Sequence, residues 1–103
     1  MLVRSAGNAR VHLLATLLVI TMGVCLRVAS AEWCFLILAI GLVWTAEAAN
    51  TAIELLGDRV SRDHDELIGR AKDLAAAAVL LAATAAAVIG LLVLGPRLWA
   101  LLP

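Results

Sequence analysis

At 103 residues the chain has room for a single domain, and with a formal net charge of +0 and only 4% aromatic residues it offers no basic, aromatic-studded face for nucleic acid. Its residues are 64% hydrophobic, where a soluble domain is roughly half apolar. A chain this short has too little interior to hide the excess, so a mean hydropathy of +1.04 argues against an ordinary soluble fold and for a lipid environment. Cys25 and Cys34 lie in or beside apolar runs, without CxxC spacing and without histidines at ligand spacing. They read as small apolar residues and not as a metal or redox pair.

Three apolar stretches follow one another: Val11 to Val28, Trp33 to Leu56, and Leu74 to Leu94 with an apolar tail to Pro103. Crossing a bilayer core takes roughly 20 helical residues, and backbone groups in lipid must pair within their own segment. The expected fold is therefore all-α, one membrane domain over residues 1–103, with transmembrane helices at about 11–28, 32–57 and 66–94. Alanines dominate the third stretch (Ala75, Ala76, Ala77, Ala78), small enough to let helices approach closely. Gly95-Pro96 is expected to end the third helix.

The connections differ. Arg27 to Glu32 is a brief polar turn, whereas Asp58 to Asp73 is densely charged and too polar for hydrocarbon. Arg4 and Arg10 flank the first helix on the side to which a three-helix path also brings Arg59, Arg62, Arg70 and Lys72; Arg27 and Arg97 fall on the other. The positive-inside rule then puts the N-terminus and the charged loop in the cytoplasm, with Trp33 and Trp99 at the opposite interface. Arg4, Arg10, an apolar run and Ala29-Ser30-Ala31 also have the layout of a cleavable signal peptide; the resemblance described below extends through this first helix and favours its retention.

The informative anomaly is on the second helix. Glu47, Asn50, Glu54 and Asp58 interrupt an apolar run and project within an arc of roughly 80° on one face. An ionised carboxylate near the centre of a membrane helix costs about 2.5–3.5 kcal/mol on insertion scales. Asp58 alone fits a helix-end role, but Glu47 lies about three turns further in. This face is expected to look toward the start of the third helix, with Arg70, Lys72 and Asp73. Carboxylate oxygens suit Mg²⁺, lysine suits phosphate oxygens, and a carboxylate in apolar surroundings is a competent base toward an alcohol. Together these groups supply the positioning and charge neutralisation of phosphoryl transfer. Neither G-x-x-x-x-G-K-[ST] nor G-x-G-x-x-G occurs, nor does H-E-x-x-H or a nucleophile elbow. His12 and His64 read as lone interfacial or loop residues.

Glu47-Ala-Ala-Asn-Thr-Ala-Ile-Glu54 followed by Asp58-Arg59 resembles the E-x-x-N-[ST]-A-I-E-x-x-x-D signature of the prokaryotic diacylglycerol kinases. Gly69-Arg-Ala-Lys-Asp73 is similar to that family's G-R-A-K-D, and Asn8-Ala-Arg-Val-His12 to its N-x-R-I-H segment, so the likeness covers roughly residues 8 to 95. The resemblance implies three-helix homotrimers of the bacterial inner membrane with active sites at the cytoplasmic interface. It implies ATP-dependent phosphorylation of a lipid alcohol, diacylglycerol ahead of undecaprenol, with Mg²⁺. It assigns Glu47 as catalytic base, Glu47 and Asn50 to the lipid substrate, Glu54 to the metal, and Asn50, Asp58, Lys72 and Asp73 to the nucleotide. Two departures stand out: most of the family's N-terminal surface helix is absent, and Ala6 occupies the place of a family metal-binding glutamate. They leave open a catalytically silent membrane relative. An ion-conducting bundle would also use an acidic face but gives no reason for G-R-A-K-D.

Overall fold

The computed structural model describes residues 2–60 and 65–103, with side chains described from Ala9 onward. Three helices, α1 (Leu2–Cys25), α2 (Ser30–Val60) and α3 (Glu66–Trp99), form a bundle measuring 58 × 23 × 21 Å. The fold is all-helical. At about 1.5 Å per residue, α2 with 31 residues and α3 with 34 both exceed a ~30 Å hydrocarbon core. Both are also apolar enough to cross a membrane, whereas the apolar part of α1, Ala9–Cys25, is shorter. Large apolar side chains cover the outside, among them Leu14, Leu38, Leu81 and Leu92, each more than half exposed. In water that surface would be an unstable arrangement; in acyl chains it is an ordinary one.

Element ends follow from local chemistry and differ in part from the sequence-based expectation. The first helix begins well before residue 11 and stops at Cys25, because Arg27 adopts a left-handed conformation (φ 54°). Arg27 N–H donates to Val24 O and Val28 N–H to Gly23 O, each at 3.2 Å, the paired bonds of a Schellman termination. Ala29 N–H then donates to Glu32 Oε1 at 2.9 Å, which fixes the start of α2. Asp65 caps α3 by accepting from Ile68 N–H at 3.0 Å. Gly95-Pro96 does not end α3. Proline removes one donor but its φ is helical, and Ala100 N–H donates to Pro96 O at 3.0 Å, so the helix runs on to Trp99.

The core lies at the end away from the 60–65 connection. Val28, Leu36, Val93 and Leu94 are buried there, with Val19, Met22, Leu26, Trp33 and Ile89 packed around them. Gly23 admits Trp33: a Cβ on it would sit 2.6 Å from the indole. Arg97 seals this end by pairing with Glu32 through Nη2 and through Nε at 3.1 Å, and by reaching Leu26 O at 3.4 Å. Both charges lie outside the apolar stretches. The guanidinium, chiefly by hydrogen bonding, holds the Glu32 carboxyl below its ordinary range, and the Ala29 N–H adds to this. Of the alanine run, Ala75 is buried and Ala76, Ala77 and Ala78 are exposed, so close approach is used at one position of the four.

Candidate functional site

The acidic face of α2 turns inward. Glu47 is 6% exposed and Asn50 is 7% exposed, the two buried polar residues of the described chain, while Glu54 and Asp58 are half-buried further along the helix. Helical spacing puts all four on one face, and burial falls from Glu47 and Asn50 toward Glu54 and Asp58. Asn50 Nδ2 donates to Glu54 Oε1 at 3.4 Å, one turn on. Asn50 Oδ1 and Glu47 Oε2 are buried without any hydrogen-bond partner. Such groups cost stability unless something satisfies them. Here they mark a place that wants a donor or a cation.

From α3, Lys72 Nζ reaches Asp58 Oδ1 at 2.6 Å. Gly57 makes this crossing possible. A Cβ at Gly57 would lie 2.9 Å from Ile68 Cγ2 and 3.0 Å from Lys72 Cε. Asp73 is exposed and lies next to Lys72 in the chain. Arg70 does not join the acidic face, contrary to the sequence-based expectation: it points outward and pairs with Glu66 one turn earlier at 2.8 Å, with both side chains largely exposed. An arginine with a carboxylate at i−4 on its own helix has a local partner and no cause to fold inward.

His12 is not the lone interfacial residue that the sequence suggested. Its Nε2 stands 3.3 Å from Glu47 Oε2, and its ring meets the Trp44 indole edge-on at a centroid distance of 6.1 Å. Thr16 Oγ1 donates to His12 O at 2.7 Å and accepts from Trp44 Nε1 at 2.9 Å. The signal available in sequence was the position of His12 at the end of Asn8-Ala-Arg-Val-His12; nothing local joins it to Glu47. An apolar groove of about 490 Å³ begins beside His12 and Thr16 and runs between the helices past Leu36, Ala86, Gly90 and Leu94.

Among the described residues, no three His, Cys, Asp or Glu side chains gather closely enough to hold a metal by themselves. Mg²⁺ commonly takes only one or two carboxylates, with phosphate and water completing its octahedron. Glu54, half-buried beside the unpartnered Asn50 Oδ1, fits that reduced demand. Ala6 and Asn8 lie outside the described side chains. A buried carboxylate (Glu47), a buried amide (Asn50), a half-buried carboxylate (Glu54) and an ammonium (Lys72) follow one another from within the bundle toward its charged end.

A family model described as prokaryotic diacylglycerol kinase matches residues 1–94. The chain is 36% identical over 95 residues to the undecaprenol kinase of Bacillus subtilis (strain 168), covering 92% of this chain and 77% of that one. It is 41% identical over 68 residues to the diacylglycerol kinase of Escherichia coli (strain K12), covering 66% of this chain and 56% of that one. To the diacylglycerol kinase of Synechocystis sp. it is 40% identical over 96 residues, spanning 92% of this chain and 55% of the relative. The chain thus spans little more than half the length of these two diacylglycerol kinases. No solved structure matches it.

Proposed function

The chain belongs to the prokaryotic diacylglycerol kinase family, and from that premise we propose that it is a membrane lipid kinase transferring the γ-phosphoryl group of ATP to a lipid alcohol. The observation that carries the reading is Glu47: a carboxylate 6% exposed inside a membrane-length helix, with Oε2 unsatisfied. A group this costly is retained where it has work to do. Glu47 takes the proton of the lipid hydroxyl. As it does so, the hydroxyl oxygen forms its bond to the γ-phosphorus, the bond to the β,γ-bridging oxygen breaks, and its electron pair leaves with ADP. Asn50 orients the acceptor and the nucleotide, Lys72 neutralises phosphate charge, and Asp58 and Asp73 hold the nucleotide at the charged end. Glu54 would be the carboxylate that holds Mg²⁺, and the ion would supply charge neutralisation to the nucleotide phosphates.

Both diacylglycerol and undecaprenol present a hydroxyl at the interface and an apolar body in lipid, so this polar face suits either. Diacylglycerol is placed first because Glu66 to Asp73 resembles the diacylglycerol-type members; the N-terminal string resembles the undecaprenol-type members, and the undecaprenol kinase likeness over 92% of the chain favours that substrate too. We further propose a homotrimer with α1 as a third membrane span and with the N-terminus and charged loop in the cytoplasm of a bacterial inner membrane. Basic residues concentrate on that side, and the small residues along the groove suit close approach of a neighbouring helix.

The deciding experiment is transfer of labelled γ-phosphate from ATP to diacylglycerol and to undecaprenol in parallel, with and without Mg²⁺. Transfer that depends on Mg²⁺ and disappears in Glu47→Gln and Glu54→Gln is expected. Full activity in both variants would overturn the role assignments, and no transfer to either lipid would favour the silent relative.

A further inference from the structure

We propose that His12 is a positioning residue for Glu47: its Nε2–H holds Oε2 of the buried carboxylate and so presents Oε1 to the lipid hydroxyl. The inference rests on the kinase reading above and adds to it a residue from a different helix. Glu47 needs a donor, because Oε2 is shut away from solvent and has no hydrogen-bond partner. Among the described residues, the basic side chain within 4 Å of the Glu47 carboxylate is His12, Nε2 to Oε2 at 3.3 Å. Lys72, Arg70 and Arg97 are engaged by Asp58, Glu66 and Glu32. The contact is close but is not yet a formed hydrogen bond. Catalytic hydrogen bonds are often long in the unliganded state and tighten when the reactants bind.

The imidazole is itself held, and by the helix that carries Glu47. Trp44, one turn before Glu47, presents its indole to the edge of the His12 ring and donates through Nε1 to Thr16 Oγ1 at 2.9 Å. Thr16 Oγ1 returns a bond of 2.7 Å to His12 O. The ring is therefore bordered by an indole that Thr16 anchors to α1, and only 17% of the His12 side chain is exposed. Support of this kind sets the orientation of a reacting group. Without it a carboxylate surrounded by apolar residues rotates about its side-chain torsions, and a displacement of about 1 Å in a reacting group costs on the order of 100-fold in rate. The arrangement needs the tautomer with its proton on Nε2; both it and the imidazolium supply that donor.

The test uses the full-length chain purified from membranes, with kcat and KM measured for ATP and for the lipid alcohol. His12→Leu removes the donor and is expected to lower kcat by ~10–100-fold with both KM values little changed. His12→Gln returns an N–H donor near the position of Nε2 and is expected to recover most of that loss, which a purely structural role does not predict. In ¹⁵N-histidine spectra the His12 Nε2 resonance, assigned by its absence in His12→Gln, is expected to shift in Glu47→Gln. If His12→Leu is too unstable to purify, this spectral comparison and His12→Gln decide the question. An active wild type whose His12→Leu variant keeps its kcat overturns this inference alone, as does a His12 resonance indifferent to Glu47→Gln. A wild type that phosphorylates neither lipid overturns the kinase reading and this inference with it.

Discussion

Lys72 Nζ meets Asp58 Oδ1 at 2.6 Å across a gap that exists because residue 57 has no side chain. Gly57 is thus a distance-setting residue between α2 and α3, not a hinge. Gly57→Ala would put a methyl 2.9 Å from Ile68 Cγ2, a branch close to its own backbone that has little freedom to withdraw. Overpacking of this kind costs about 1–3 kcal/mol. The expected outcome is a lower melting temperature in detergent together with a higher KM for ATP, since the same methyl displaces the lysine stem. An unchanged melting temperature would show that α3 shifts without penalty.

Lys72→Met separates the lysine's ion pair with Asp58 from the phosphate-binding role proposed for it. The ion pair with Asp58 is a third or more exposed on both sides, and such pairs contribute about 0–1 kcal/mol. The variant is therefore expected to melt close to wild type while phosphoryl transfer falls by at least ~100-fold, the scale on which a lost electrostatic contact to developing charge is felt. Parallel melting and turnover measurements check this. A large loss of stability with kcat retained would make Lys72 a structural residue.

The turn between α1 and α2 carries a removable cost. Arg27 sits at φ 54° in the place where glycine is the usual occupant of a Schellman termination. A left-handed non-glycine residue costs about 1–2 kcal/mol, and Arg27 is exposed, its side chain making no hydrogen bond among the described residues. Arg27→Gly should stabilise the chain by up to about 1 kcal/mol, visible as a higher midpoint in denaturant, without altering turnover.

Glu32 and Arg97 make stability at this same end depend on pH. The guanidinium lowers the Glu32 carboxyl in the folded chain, so folding favours the ionised form. The contribution is complete above the ordinary carboxylate range and is lost as pH falls through the lowered folded value. Wild type should exceed Glu32→Gln in melting temperature at neutral pH, and the difference should close only once the pH has dropped below the usual carboxylate titration. A difference independent of pH would assign the pairing to packing alone.

Patterning made most of the site legible. Carboxylates at helical spacing inside an apolar run have few places to go, and Glu47 and Asn50 are buried as that pattern implied. Lys72 meets the acidic face as well. Arg70 departs from that pattern because Glu66, one turn earlier on its own helix, pairs with it at the surface. His12 was out of reach because its contact with Glu47 depends on how α1 crosses α2, and a single histidine has no period to read. The continuation of α3 beyond Pro96 follows from a φ that proline shares with the helix, and it brings Arg97 to Glu32 in a tertiary pairing that a local breaker rule does not see.

Glu47→Gln offers the sharpest separation between stability and function. The wild-type carboxylate is 6% exposed with one oxygen unsatisfied, and an imperfectly paired buried charge opposes folding. Glutamine keeps the shape, removes the charge and brings an amide N–H₂ that Asn50 Oδ1, itself buried and unpartnered, is suited to accept. The variant should therefore melt at or above the wild-type temperature while losing phosphoryl transfer, because an amide does not take a proton from an alcohol. That combination identifies a residue kept for chemistry at the expense of the fold. A variant both less stable and partly active would instead mean that the negative charge holds the bundle together, through His12 or otherwise, and that the proton leaves by another route.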